Sequence, residues 1–153
     1  VYMVKLKVIK FTPSNFNYYF KIILFYRNDN DYCRINNNKK VIPKQSYKWL
    51  KENYKKRIFL IIKYKNRNVG MFNFNKIEKT YSIVVNKKFR NLGLGKKSLN
   101  LLLIYLKKKK YKKITSYVLK NNAPSYKIHC LFSYKKKLMK NKFTKFYINC
   151  NNF

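Results

Sequence analysis

Two of the three glycines in this chain stand one residue apart, in Arg90-Asn91-Leu92-Gly93-Leu94-Gly95, and the only other one is Gly70. What flanks that pair constrains the fold more than any other feature. Before it, residues 80–85 place Tyr81, Ile83 and Val85 on one face, the period of a strand. After it, Leu99, Leu102, Leu103 and Leu106 repeat at helical spacing, an amphipathic helix that closes on Lys107–Lys110 at its negative dipole end. The glycines therefore mark a strand-to-helix junction. There they permit a tight turn in which successive N–H groups converge on an anion, with the partial positive charge of the helix start behind them. A plain tight connection would use the same residues.

The remaining chain supplies a mixed sheet and its helices. Apolar residues alternate with lysine from Val4 to Phe11, predicting a first strand. Pro13-Ser14-Asn15 opens a helix through Phe16, Phe20, Ile23 and Leu24 that ends near residues 27–30, and Pro43 precedes a second, more exposed helix over residues 44–56. Residues 57–64, 69–74 and 80–85 read as three consecutive antiparallel strands, with turns at 66–68 and 75–79. Residues 114–119 form a further strand, Pro124-Ser125 starts a short helix to about Leu131, and residues 142–150 make a last strand or pair. The predicted order is β-α-α-β-β-β-α-β-α-β, an α/β (α+β) class with a mixed, mostly antiparallel sheet flanked by helices. At 153 residues and 46% hydrophobic content, residues 1–153 are expected to form one domain.

Composition excludes several classes. No apolar run reaches the length of a membrane span, and Val1-Tyr2-Met3-Val4-Lys5-Leu6-Lys7 lacks the continuous apolar core of a secretory signal, so a cytoplasmic protein is expected. Cys33, Cys130 and Cys150 are odd in number and widely spaced, which suggests reduced thiols and no metal site. The net charge of +34 is carried mostly by lysine beside abundant Asn, Tyr, Ile and Phe, residues whose codons are rich in A and T. Codon bias would spread lysine over every face, so nucleic acid is not the expected partner. A ligand carrying several phosphates is still favoured.

Two nucleotide loops fail on their own requirements. A dinucleotide fingerprint needs a third glycine where Ser98 stands and an acidic residue beyond it, yet no Asp or Glu follows Glu78. A P-loop needs its first glycine where Arg90 stands. The sequence Arg90-x-x-Gly93-x-Gly95 instead resembles the acyl-coenzyme A signature of the GNAT superfamily of N-acetyltransferases. Asn122, His129 and Ser133-Tyr134 fall at the spacing that the superfamily uses for Asn, an aromatic proton donor and Gly-Phe. Tyr26-Arg27-Asn28 and Val41 through Ser46 to Trp49 are similar to segments of the branch that acetylates nucleotide-linked amino sugars, the pseudaminic acid pathway type.

That resemblance implies a GNAT-like fold, acetyl-coenzyme A as co-substrate, no metal, and a small-molecule primary amine as acceptor. It implies that backbone groups of Ile83 and Val85 pair with the pantetheine arm, and that the N–H groups of Asn91, Leu92, Gly93, Leu94, Gly95 and Lys96 receive the pyrophosphate. Arg90 and Lys96 would add charge, and backbone near Val85 would steady the oxyanion of the attacked thioester. Asn122 and Ser125 would hold the cofactor arm, and His129 would be the acid that protonates the leaving thiolate. Glu78, the carboxylate nearest the active strand, is the candidate base, with Arg27 and Trp49 on the acceptor. Each has a plainer alternative: Asn122 as a turn residue, His129 as a locally satisfied ring, Glu78 as solvated turn, Arg27 and Trp49 as helix anchors. Rival functions are acetylation of a protein N-terminus or ribosomal protein, and a basic RNA-associated module with a decayed acetyl site. Monomer and homodimer both stay open.

Overall fold

The structure, a computed structural model, describes residues 3–35 and 38–153. Strand β1 (Val4–Val8) is followed by helices α1 (Phe16–Arg27), α2 (Asn30–Ile35) and α3 (Pro43–Asn53). Strands β2 (Arg57–Tyr64), β3 (Arg67–Asn75) and β4 (Thr80–Val85) lead to helix α4 (Leu94–Lys108). Strand β5 (Lys113–Leu119), helix α5 (Ala123–Phe132) and strands β6 (Lys135–Leu138) and β7 (Phe143–Asn149) complete the chain. The strands form one sheet in the order β1-β2-β3-β4-β5-β7-β6. Every neighbouring pair is antiparallel except β4 and β5.

Helices cover both faces of the sheet. The leucines of α4 pack on Leu60, Ile62, Phe72 and Phe74, while Ile23, Tyr26 and Leu50 of α1 and α3 pack on Phe59, Ile61, Met71 and Val84. Strand β2 is thus buried on alternate sides by different helices, which is why its sequence is a continuous apolar run and not an alternation.

The expected elements are present, with shifted edges. The first strand stops at Val8, although the next residue, Ile9, still bonds β2 through its N–H to the Phe59 carbonyl. The hairpin between β2 and β3 turns at Lys65 and Asn66, both at positive φ, so β3 starts earlier than residue 69. Residues at positive φ in both central positions are the type I′ geometry that matches strand twist. Two elements escaped the sequence. Helix α2 is too short for periodicity to reveal; Asp29 caps it, accepting the Tyr32 N–H at 2.8 Å. The lysines of β6 are exposed and lie on an edge strand paired with β7. Lysine on an edge discourages further strand pairing.

Gly70 explains how tightly β3 and β4 pair. It faces Val85, and a Cβ there would lie 2.4 Å from the Val84 carbonyl oxygen. No side chain fits that approach.

Candidate active site

β4 and β5 touch at one bridge, Thr80 to Thr115, and then diverge. The direction of each β4 residue follows from strand alternation. Lys79 accepts from the Thr115 N–H at 2.9 Å, so odd-numbered residues turn their backbone groups toward β5, while Asn86 donates back to Val69 of β3 at 2.7 Å. The Tyr81 carbonyl takes the Ser116 hydroxyl at 3.2 Å, and the Val85 carbonyl takes the Arg90 Nε–H at 2.9 Å. Left facing the gap are both backbone groups of Ile83 and the N–H of Val85. The gap opens into a cleft of about 710 Å³ that those two residues line, together with Asn91, Gly93, Leu94, Gly95, Asn122, Ser125 and His129.

The glycine loop forms one end of this cleft. Asn91 and Gly93 both take positive φ, 64° and 71°, on either side of Leu92. The first helical hydrogen bond of α4 runs from Lys97 N–H to Gly93 O at 3.2 Å. Among the described residues no partner accepts from the N–H groups of residues 91–96. A concave run of unpaired amides ahead of a helix is an anion cradle. Leu92 (52% exposed) and Lys96 are exposed and are not among the residues that line the cleft.

Arg90 lines the cleft and also ties it to the rest of the chain. Its Nε–H holds the Val85 carbonyl, and its guanidinium lies 3.6 Å from the Asp29 carboxylate. A guanidinium committed in this way ties the loop to the end of β4 and to the start of α2. It positions the cradle and contributes less charge to it than a free arginine would.

Across the cleft, Asn122 caps α5 by accepting from Ser125 N–H at 3.4 Å, so its turn role and its place in the cleft coincide. His129 is 2% exposed and stacks on Tyr81, centroids 5.8 Å apart. Its Nδ1 lies 2.7 Å from the Ser125 carbonyl. A carbonyl only accepts, so the ring proton sits on Nδ1 and a bare lone pair on Nε2, which is buried without a partner. Burial pushes the histidine pKa down, against the smaller opposing effect of the Ser125 bond. In this tautomer the ring would take up a proton at Nε2 before it could give one.

A stability test follows from the sign of that shift. With the folded pKa below the unfolded one, the unfolded chain takes up the proton first. Stability is then full above the ordinary histidine range and falls as pH drops below it. This is the only histidine in the sequence. The melting temperature should fall between about pH 7.5 and pH 5.5, and His129→Gln should flatten that slope. Identical slopes in both proteins would mean that the ring is not held neutral.

Glu78 is exposed in the turn before β4 and lines neither the cleft nor the pocket described next, although its charge reaches Arg57 in the wall of that pocket.

That pocket, about 480 Å³, lies on the α1/α3 face and meets the cleft at Tyr32 and Val84, which line both. Arg27 and Trp49 are in its wall. The Arg27 guanidinium, however, donates to the Lys39 carbonyl at 3.2 Å and lies 3.7 Å from Cys33 Sγ, anchoring the segment after α2. The Tyr26 phenol is pushed up to about 12 by burial and by Asp29, and stays protonated. Sequence reasoning missed Tyr32, Arg57, Asn73 and Ser82, which also line the pocket. Arginine scarcity was the available signal: in a chain dominated by lysine, three of the five arginines stand at the site.

Among the described residues no group of three or more His, Cys, Asp or Glu side chains lies together, and no helix is long and apolar enough to cross a membrane. The three thiols are free, Cys33 and Cys150 buried and Cys130 exposed.

No curated protein matches the sequence. Solved structures match over nearly the whole chain. A domain from Methanocaldococcus jannaschii is 20% identical with a TM-score of 0.72, covering 96% of this chain and 99% of its own. Spermidine N-acetyltransferase from Vibrio cholerae, solved with CoA and spermine, is 10% identical with a TM-score of 0.72, covering 95% and 96%. The N-acetyltransferase PseH from Campylobacter jejuni, solved with acetyl-coenzyme A, is 15% identical with a TM-score of 0.66, covering 96% and 99%. Residues 24–130, which hold the splayed strands, the amide cradle and His129, match the model of one sequence family. The chain belongs to the acetyltransferase (GNAT) family.

Proposed function

We propose that this N-acetyltransferase, which uses acetyl-coenzyme A, delivers the acetyl group to the primary amine of a nucleotide-linked amino sugar. The observation that carries the acceptor half is the bounded pocket meeting the cleft at Val84 and Tyr32. Its lining offers arginine, indole, phenol, amide and hydroxyl groups and, among the described residues, no carboxylate. A polyamine would need acidic partners there. An amino sugar carrying phosphates needs cation, stacking surface and hydrogen-bond donors.

The reaction moves an acetyl group from sulfur to nitrogen: a C–N bond forms, a C–S bond breaks, the amine loses a proton and the thiolate gains one. The unpaired edge of Ile83 and Val85 orients the donor arm as a neighbouring strand would. The amides of residues 91–96 fix its phosphates, and the Val85 N–H, close to the pocket junction, receives charge that develops on the carbonyl oxygen. Asn122 and Ser125 border the arm from α5. No described carboxylate lines the site, so the ammonium proton leaves through water.

The test is release of free thiol with acetyl-coenzyme A and, in turn, UDP-glucosamine, spermidine and an unblocked peptide. UDP-glucosamine should exceed spermidine in kcat/KM by about 30-fold, the worth of one or two charged contacts. Preference for spermidine or peptide would reject the sugar acceptor. Absence of acetyl-coenzyme A binding together with salt-sensitive RNA binding would reject the enzyme reading.

A further inference from the structure

Resting on that acetyltransferase reading, we propose that Arg57 is the specificity-determining residue of the acceptor pocket: it reads a phosphate or carboxylate borne by the amine substrate roughly 8 Å from the reacting nitrogen. Arg57 stands at the head of β2, and its side chain lines the pocket. Two contacts orient it. Nη1 donates to Asn73 Oδ1 at 3.1 Å, and the guanidinium carbon lies 4.9 Å from the Trp49 ring centre. Neither contact neutralises its charge.

No carboxylate among the described residues lies within ion-pair distance of Arg57. Glu78, outside the lining, and Tyr32 act on it only at longer range, and burial is the larger influence, lowering its pKa. A half-buried guanidinium, held in place and lacking an anion, is an unfinished ion pair. Arg27 likewise has no carboxylate partner among the described residues, but its Nη1 is turned to the Lys39 carbonyl and to Cys33 Sγ, where it anchors the segment after α2. Arg90 lies on the other side of the junction and faces Asp29. Of the two arginines that line the pocket, Arg57 is the one held by other lining residues, Trp49 and Asn73, so its planar, unneutralised fork is fixed within the pocket wall.

The register sets the distance. Asn73, which the guanidinium reaches, is opposite Ser82, and Ser82 is two residues from Val84 at the junction. One interstrand spacing of about 4.8 Å and two residues of about 3.4 Å give roughly 8 Å between the reaction centre and the anion. Serine, asparagine and glutamine also line the pocket and suit hydroxyl groups on the ligand.

Two matched pairs of amines test this without requiring the natural acceptor: glucosamine against glucosamine 6-phosphate, and hexylamine against 6-aminohexanoate. The first pair asks about phosphate, the second about carboxylate. In the wild type, at least one anionic member should exceed its neutral partner in kcat/KM by about 30-fold, mainly through KM. Arg57→Ala should bring that ratio to within about threefold, with Arg57→Lys intermediate because a point charge replaces the fork. Titration with acetyl-coenzyme A shows whether the donor half of each variant is intact. A wild-type ratio near one for both pairs, or a ratio that survives Arg57→Ala, would overturn the assignment. If no amine turns over, calorimetry of glucosamine 6-phosphate and 6-aminohexanoate on the CoA complex makes the same comparison, and absence of binding overturns it. Wild-type protein that fails to bind acetyl-coenzyme A would sink the acetyltransferase reading, and this assignment with it.

Discussion

Replacing Gly93 by glutamate is expected to weaken acetyl-coenzyme A binding at least about 100-fold, some 2.7 kcal/mol. Gly93 is the N-cap of α4, at φ 71°, and an added Cβ there would meet no atom within 4 Å. The side chain would therefore hang into the cleft mouth beside the unpaired amides of residues 91–96, and its carboxylate would compete for them and repel a diphosphate. Backbone strain also contributes, because a left-handed conformation costs a residue with a side chain roughly 1–2 kcal/mol. Asparagine tolerates that conformation, so Gly93→Asn separates the two effects: it should bind within about tenfold of wild type. Calorimetry on the three proteins decides the matter. Equal affinity for the glutamate and asparagine variants would mean that no anion sits on this loop.

The same loop shows how far the sequence could be read. Gly93 and Gly95 stood out because glycine is scarce here, and their flanking periodicities, two for β4 and 3.6 for α4, announced a junction that the structure has. Those signals are local. What the junction does depends on the departure of β5 from β4, a non-local event fixed by one bridge at Thr80 and by Ser116 filling the place of a strand partner at Tyr81. No periodicity encodes a missing hydrogen bond. The family resemblance supplied the expectation of Ile83 and Val85, and alternation in the structure gives its physical reason.

Arg90 and Glu78 show the opposite case. Arg90 looked like phosphate charge because of its position in the motif; it does line the cleft, and its guanidinium also lies 3.6 Å from Asp29, 61 positions earlier in sequence, a contact that no motif announces. Glu78 looked close to the active strand because it is close in sequence to Thr80. It lies at the end of β4 opposite Val84 and Val85, a distinction that only chain direction within the sheet can make. Arg57 was invisible for a related reason. It was read as the edge of an apolar strand, and its meaning depends on Trp49 and Asn73 from two other elements.

Proline at position 85 should slow acetyl transfer by about 100-fold while leaving the fold in place, because it removes one donor and alters one partly buried side chain. Val85 turns its N–H toward the cleft, and β3 does not use it: the neighbouring bond to β3 comes from Asn86 N–H to the Val69 carbonyl. A strand residue whose N–H faces away from its partner is the place in a sheet that tolerates proline. The residue before it, Val84, is already extended, as the residue preceding a proline prefers. The Val85 carbonyl remains to hold Arg90 Nε. Thermal melting within a few degrees of wild type would establish that the variant folds. Loss of one neutral hydrogen bond to the donor arm should weaken acetyl-coenzyme A binding by no more than about tenfold. The loss in kcat should be larger, since preorganised donors matter most where charge develops, and losing one costs roughly 100- to 1,000-fold in rate. Val85→Ala, which keeps the N–H, should transfer at close to the wild-type rate. With the best acceptor of the amine panel, the proline and alanine variants turning over equally fast would show that the carbonyl oxygen lies elsewhere, and that the splayed edge only guides the donor arm.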